Sequence, residues 1–162
     1  MTTPQPVSEF EELSWHDDTL YGLRFDVGDS FRGDWRADLV LDIDHIVKWV
    51  PGKAGKFRFQ VAPATLTFHG VTDLKIAIDW GDSSDRTALH EISIDGITRE
   101  PVPDQEGYPA REHYRWRIAL SWPEGGAITF GAHGFTQTLR AEPVLLDEQR
   151  LPAVTQGQRG GE

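Results

Sequence analysis

Apolar and polar residues alternate along much of the chain, and this period of two is typical of β-strands with one buried face. A first alternating run ends in Gly28 and places one set of apolar residues on a common face: Tyr21, Leu23, Phe25 and Val27. A second run covers residues 35–44. The alternation breaks at residues 45–50, which indicates a β-bulge or a bend.

Further short runs follow, separated by glycine, proline and aspartate, which are typical of turns. They cover residues 57–61, 64–68, 74–80, 92–94, 113–122, 128–132 and 135–139. Pro63 restricts its segment to a sheet edge or a kink, because proline lacks a backbone donor. About eight short strands without a sustained helical period predict an all-β domain with little helix, either an antiparallel β-sandwich or an open barrel.

The length of 162 residues suits one domain. Composition predicts a loose N-terminal leader over residues 1–12, a single β-domain over 13–146 and a disordered C-terminal tail over 147–162. The last nine residues contain three glycines and no strand pattern.

The charge balance is strongly acidic, with 26 acidic against 16 basic residues and a net charge of −10. Nucleic acids and anionic membranes require concentrated basic residues, so neither is an expected partner. An acidic surface steers association toward a basic protein. The chain has no cysteine, no signal-peptide pattern and no apolar run long enough to span a bilayer, so a cytoplasmic location is expected.

The densest group of polar and aromatic side chains directly precedes the first strand: Trp15, His16, Asp17 and Asp18. In an extended chain, Trp15 and Asp17 share one face while His16 and Asp18 share the other. The group is either a ligand site or a structural anchor that hydrogen-bonds the backbone, and the anchor is the favoured interpretation. No catalytic residue, metal ligand set or cofactor is predicted, because a catalytic zinc needs about three converging ligands.

Two other polar groups lie within strands. Asp42 and Asp44 share a face and could hold a cation, although a solvated strand face is the favoured interpretation. His113, Arg115 and Arg117 also share a face. They could bind an anion, but cross-strand ion pairs are the favoured interpretation.

Two runs carry a resemblance to a known class of proteins: residues 13–20, LSWHDDTL, before an alternating strand, and residues 66–74, LTFHGVTDL. Both resemble segments of small uncharacterised bacterial β-rich proteins, which include some immunity proteins of polymorphic toxin systems. The resemblance defines no catalytic residue in this chain.

The leading hypothesis is therefore a non-enzymatic protein-binding domain, of the kind in which an acidic immunity-type inhibitor meets a basic partner quickly. One alternative is a metal-dependent or small-molecule enzyme centred on His16 and Asp17. Another is a carbohydrate-binding sandwich that uses scattered tryptophans, although alternating aromatic residues are more often part of the core. These tryptophans are Trp80, Trp116 and Trp122.

Overall fold

A computed structural model describes residues 5–81, 88–103 and 112–152. The predicted all-β class is confirmed, with nine antiparallel strands and three single-turn 3-10 helices in the described part of the chain. The strands are β1 Thr19–Val27, β2 Ala37–Pro51, β3 Phe57–His69, β4 Thr72–Ala77, β5 Ile92–Pro101, β6 Tyr114–Trp122, β7 Ala127–Ala132, β8 Gly134–Leu139 and β9 Val144–Leu146. The 3-10 helices are Phe10–Glu12, Ser30–Arg32 and Lys53–Gly55.

All nine strands belong to one open sheet in the order β4-β7-β6-β5-β1-β2-β3-β8, and β9 also pairs with β3. The longest ladder joins β2 to β3, with Leu41 opposite Leu66 and Ile43 opposite Ala64. The fold is therefore one open, curved sheet and not a sandwich of two separate sheets.

The core forms where the sheet curves back on itself. Phe68 on β3 contacts Trp116 on β6 at a ring distance of 5.0 Å and Phe130 on β7 at 4.7 Å. These strands are far apart in the sheet order, so their inner faces pack against each other. All three side chains are fully buried, and such aromatic residues contribute the largest units of apolar area to a core.

A second, smaller cluster lies at the other end of β2 and β3 and contains Ile46, Phe59, Val61 and Leu151. The bulge predicted for residues 45–50 is confirmed, because the β2–β3 register shifts between Ile46 and Lys48. Ile46 and Val61 lie three positions along the ladder from Ile43 and Ala64, so the second cluster is on the opposite face of the sheet. The bulge places Trp49 on that face, opposite Phe59.

Pro63 lies in β3 opposite Asp44, inside the sheet. Pairing of β3 with β8 begins at Ala64, and pairing with β9 ends at Val61. Proline is tolerated because neither of these outer strands pairs with it there.

The predicted burial of one whole face of β1 is wrong at its end, since Phe25 and Val27 are 59% and 67% exposed. The second strand begins at Ala37, so Trp35 lies in the preceding loop and is also exposed. The sheet does not cover this end of the β1–β2 hairpin.

The predicted division into leader, domain and tail stays a prediction, but the described parts of both ends contact the sheet. Val7 forms a bridge with Gln137 on β8, and Phe10 packs against the main core. Leu151 belongs to the second cluster. Residues 1–4, 82–87, 104–111 and 153–162 lie outside the described residues. Across the described ranges, no helix is long and apolar enough to cross a membrane.

Candidate functional site

The candidate site at residues 15–18 is a tight turn and not an extended segment. The Asp18 N–H donates to the Trp15 carbonyl at 3.1 Å, and Asp17 has a φ of 66°. Aspartate is one of the few residues that tolerate this left-handed conformation. Two further bonds of 2.9 Å hold the turn to β5, from Asp17 N–H to the Ile94 carbonyl and from Ile94 N–H to the Asp18 carbonyl.

This turn corrects the expected geometry, in which residues alternate between two faces. Trp15 and Asp18 point inward, with exposed fractions of 2% and 0%, whereas His16 and Asp17 point outward and meet each other. Their side chains are 3.0 Å apart, from His16 Nδ1 to Asp17 Oδ1. The four residues therefore divide into two buried residues, Trp15 and Asp18, and a surface pair, His16 and Asp17.

Trp15 fastens the turn to the main core. Its indole N–H donates to Oε1 of buried Gln137 on β8 at 2.7 Å, and its ring makes an edge contact with Phe135 at 5.6 Å. Because Val7 pairs with the backbone of Gln137, the indole also contacts the residue that holds the N-terminal segment. These contacts support the anchor interpretation of Trp15.

Asp18 forms a buried pair with His45 on β2. His45 Nδ1 and Asp18 Oδ2 share a hydrogen bond of 2.6 Å, and the Ile46 N–H donates to Asp18 Oδ1 at 2.9 Å. Burial raises the pKa of Asp18, while the hydrogen bond and charge of His45 and the Ile46 N–H oppose that increase. One carboxylate thus joins the turn to the residues that flank the β2 bulge.

Asp44 is fully buried, so the interpretation of a solvated face is wrong for this residue. Its Oδ2 accepts hydrogen bonds of 2.8 Å from the Tyr21 hydroxyl and from the Leu151 N–H. Asp42, two residues earlier, is only partly buried and forms an ion pair with Arg140. The two carboxylates therefore have separate partners.

Residues 147–152 lie across this region and add to the anchoring. Gln149 Nε2 donates to Asp17 Oδ2 at 2.9 Å, and Arg150 forms an ion pair with Glu91. Leu151 inserts into the second cluster and is 3% exposed. The C-terminal segment is consequently held by the turn, by β2 and by Glu91.

The outward pair borders a group of exposed rings that we name the aromatic surface: His16, Trp49 and Phe57. The Trp49 ring lies 6.4 Å from the His16 ring and 5.8 Å from the Phe57 ring, with edge-on geometry in both cases. Trp49 is 41% exposed and Phe57 is 49% exposed. Phe59 lies beneath Trp49 at 4.9 Å and connects this surface to the second cluster.

A second exposed apolar group lies at the opposite end of β2, and we name it the turn surface: Phe25, Val27, Phe31 and Trp35. Phe31 is 101% exposed and Trp35 is 78% exposed. Carboxylates alternate with these side chains, and Asp26 and Asp34 both contact Arg36, at 3.2 and 3.6 Å. Sheet packing does not explain why large apolar side chains are concentrated in this loop.

The other candidates from the sequence are separate from these sites. Arg115 and Arg117 lie opposite Glu100 and Thr98, and neither arginine has an ion pair with a described residue, so the favoured cross-strand ion pairs are not seen there. Trp116 is core, as expected for alternating aromatic residues.

Trp122 differs from Trp116 because it is 41% exposed. Its ring stacks on His90 at 5.2 Å, with 13° between the planes, and His90 also contacts Trp80 edge-on at 5.3 Å. The tryptophans proposed from sequence for carbohydrate binding therefore include one exposed stack and one core residue.

Within the described ranges, no group of three or more His, Asp or Glu side chains is arranged to hold a metal ion. The buried pair of Asp18 and His45 is a structural anchor, because the carboxylate is satisfied by one ring nitrogen and one backbone donor. Sequence reasoning missed His45 as the partner of Asp18, because 27 residues separate them and no local motif connects them. It also missed Trp49 and Phe57, although both lie in a conspicuous stretch without acidic residues.

Comparison with protein-family models, curated proteins and solved structures found no match to this chain.

Proposed function

We propose that this protein is a non-enzymatic protein-binding domain of the immunity type and that it binds its partner through the turn surface. The observation that carries the proposal is the exposure of Phe31 and Trp35, at 101% and 78%, beside the exposed face of β1. Concentrated apolar side chains that a folded domain leaves in water are typical of protein-binding surfaces. Tryptophan is also enriched among the residues that dominate binding energy.

A basic partner fits the net charge of the whole chain. Residues 24–36 carry three aspartates and three arginines, and their ion pairs leave the turn surface itself close to neutral. The whole chain carries a net charge of −10, which accelerates encounter with a positively charged protein. We place this function in the cytoplasm, where an immunity protein would meet a toxin domain.

The test is co-expression with the protein encoded beside this gene, with cell growth as the readout and complex formation as the second readout. We expect the wild type to restore growth and the double variant Phe31→Ala, Trp35→Ala to lose protection. Leu89→Ala is the matched control, because Leu89 is 76% exposed but lies outside the turn surface. Protection that is absent for the wild type, or equal for the double variant, contradicts the proposal.

A second candidate function is an enzyme centred on the surface pair, favoured by the 3.0 Å contact between His16 and Asp17. A histidine beside a carboxylate can act as a base or help to hold a metal. Metal analysis of the purified protein and growth of a His16→Ala strain test it. Stoichiometric metal together with a His16→Ala phenotype would support an enzyme over a binding domain.

A third candidate is carbohydrate binding by the exposed stack of Trp122 on His90. Flat exposed rings suit the apolar faces of sugars. A glycan array with the Trp122→Ala variant as the control tests this function. Glycan binding that is unchanged in the variant would exclude this stack as the site.

A further inference from the structure

One stretch of this acidic chain, residues 45–72, has basic residues but no acidic residue. All 26 acidic residues lie outside residues 45–72, yet this stretch contains four of the 16 basic residues. Three of the four are lysines, which we name the lysine tip: Lys48, Lys53 and Lys56. Lys53 belongs to the 3-10 helix that connects β2 to β3, and Lys56 directly follows that helix.

Carboxylates of the same chain do not neutralise the lysine tip. Arg58 pairs with Asp147 at 2.9 Å, but no lysine of the tip forms an ion pair with any residue in the described ranges. The end of the β2–β3 hairpin therefore carries positive charge, whereas the rest of the chain carries all of the negative charge.

The lysine tip continues into the aromatic surface. Trp49 lies opposite Phe59, and Phe57 lies opposite Pro51, so the large apolar side chains share one face of the hairpin. The second cluster behind them has only four buried residues, and Trp49 and Phe57 remain about half exposed beside it. Apolar side chains of a partner would extend this small cluster.

We propose that the aromatic surface and the lysine tip form a second binding surface, whose ligand is an acidic polypeptide segment with apolar side chains. The apolar groups of the segment cover Trp49 and Phe57, and its carboxylates pair with Lys53 and Lys56. A short segment keeps its negative charge at the tip, where repulsion from carboxylates farther away than a Debye length of about 8–10 Å is largely screened.

Two features of the hairpin favour a polypeptide over other anions. Lys53 and Lys56 occupy the extreme end of the hairpin, beyond Trp49 and Phe57, so these two charged groups reach a bilayer before any ring can enter it. The rings of the aromatic surface meet edge-on, at 69° and 72°, so they do not form a row of parallel rings on which successive bases could stack.

The proposal is tested by fluorescence anisotropy with a labelled peptide in which two leucines are flanked on each side by glutamates. We expect the wild type to bind this peptide and not its lysine-flanked counterpart, with binding that weakens as salt increases. The double variant Lys53→Glu, Lys56→Glu should weaken binding roughly tenfold or more, because two attractive contacts become repulsive. Both lysines are exposed, so the variant should fold.

Trp35→Ala is the matched control, because Trp35 lies at the other end of β2 and should leave peptide binding unchanged. Phe57→Ser tests the apolar contribution and should weaken binding of the acidic peptide. Equal binding of both peptides, unchanged binding by the lysine double variant, or no binding at all overturns the proposal. Tighter binding to phosphatidylserine vesicles or to an oligothymidine strand than to the acidic peptide also overturns it. This surface is separate from the turn surface, so the peptide-binding result does not depend on the outcome of the growth-protection test.

Discussion

Replacing Asp18 by alanine removes the contact that joins the 15–18 turn to β2. The carboxylate is fully buried and satisfies both His45 Nδ1 and the Ile46 N–H. Alanine has no acceptor for either donor, and both contacts are buried. We therefore expect Asp18→Ala to be among the most destabilising single polar substitutions in the chain.

The expected magnitude follows from these two contacts. An unsatisfied buried donor costs about 1–3 kcal/mol, and breaking a buried ion pair by removing one partner costs about 3–5 kcal/mol. Asp18→Ala leaves two buried donors without an acceptor, which corresponds to the lower part of this range, and we expect a loss of about 3 kcal/mol. Such a loss lowers the melting temperature of a domain of this size by roughly 6–12 °C.

The measurement is urea unfolding followed by tryptophan fluorescence, with the midpoint compared at an unchanged slope. Asp42→Ala is the control, because Asp42 lies on the same strand but pairs with Arg140 in a partly exposed position. A partly exposed ion pair contributes about 1 kcal/mol or less. If Asp18→Ala destabilises the protein no more than Asp42→Ala does, the anchor interpretation of Asp18 is refuted.

The remaining predictions concern the same anchors. Burial raises the pKa of Asp18, so the stability gained from its protonated form is complete below the unfolded-state pKa and is lost as the pH rises through the folded-state pKa. Asparagine does not titrate, so the free energy of unfolding of Asp18→Asn, relative to wild type, should increase as the pH rises from about 4. A pH series of urea titrations measures this difference. Leu151→Ala should cost about 2–4 kcal/mol in urea unfolding because Leu151 is 3% exposed, whereas Leu145→Ala, at 38% exposed, should cost clearly less. Trp15→Phe should cost about 1–3 kcal/mol by calorimetry because it leaves buried Gln137 without its indole donor, and an unchanged melting temperature would contradict this role.

Strand positions were predicted well because alternation is a local property. The runs at residues 113–122 and 128–132 correspond closely to β6 and β7, and the break at 45–50 corresponds to the bulge. Alternation identifies residues that share a face, but it does not reveal whether another part of the sheet covers that face. This is why Phe25 and Val27 were assigned to a buried face and are exposed.

The candidate site was located by its composition, but its geometry was not predictable. A turn at residues 15–18 depends on hydrogen bonds to Ile94 on β5, which is remote in sequence. Because of this turn, Asp18 points inward and contacts His45, whereas His16 contacts Asp17 at the surface.

The sequence by itself determined that the chain forms short antiparallel strands, that its charge is strongly acidic, and that residues 45–72 contain no acidic residue, because each of these properties is local or additive. Tertiary structure alone decided that Asp18 pairs with His45, that Asp44 accepts a hydrogen bond from the Leu151 N–H, and that the Trp49 ring contacts the His16 ring. These contacts join segments far apart in the chain, and only the curvature and register of the complete sheet bring them within reach of a hydrogen bond or a ring contact.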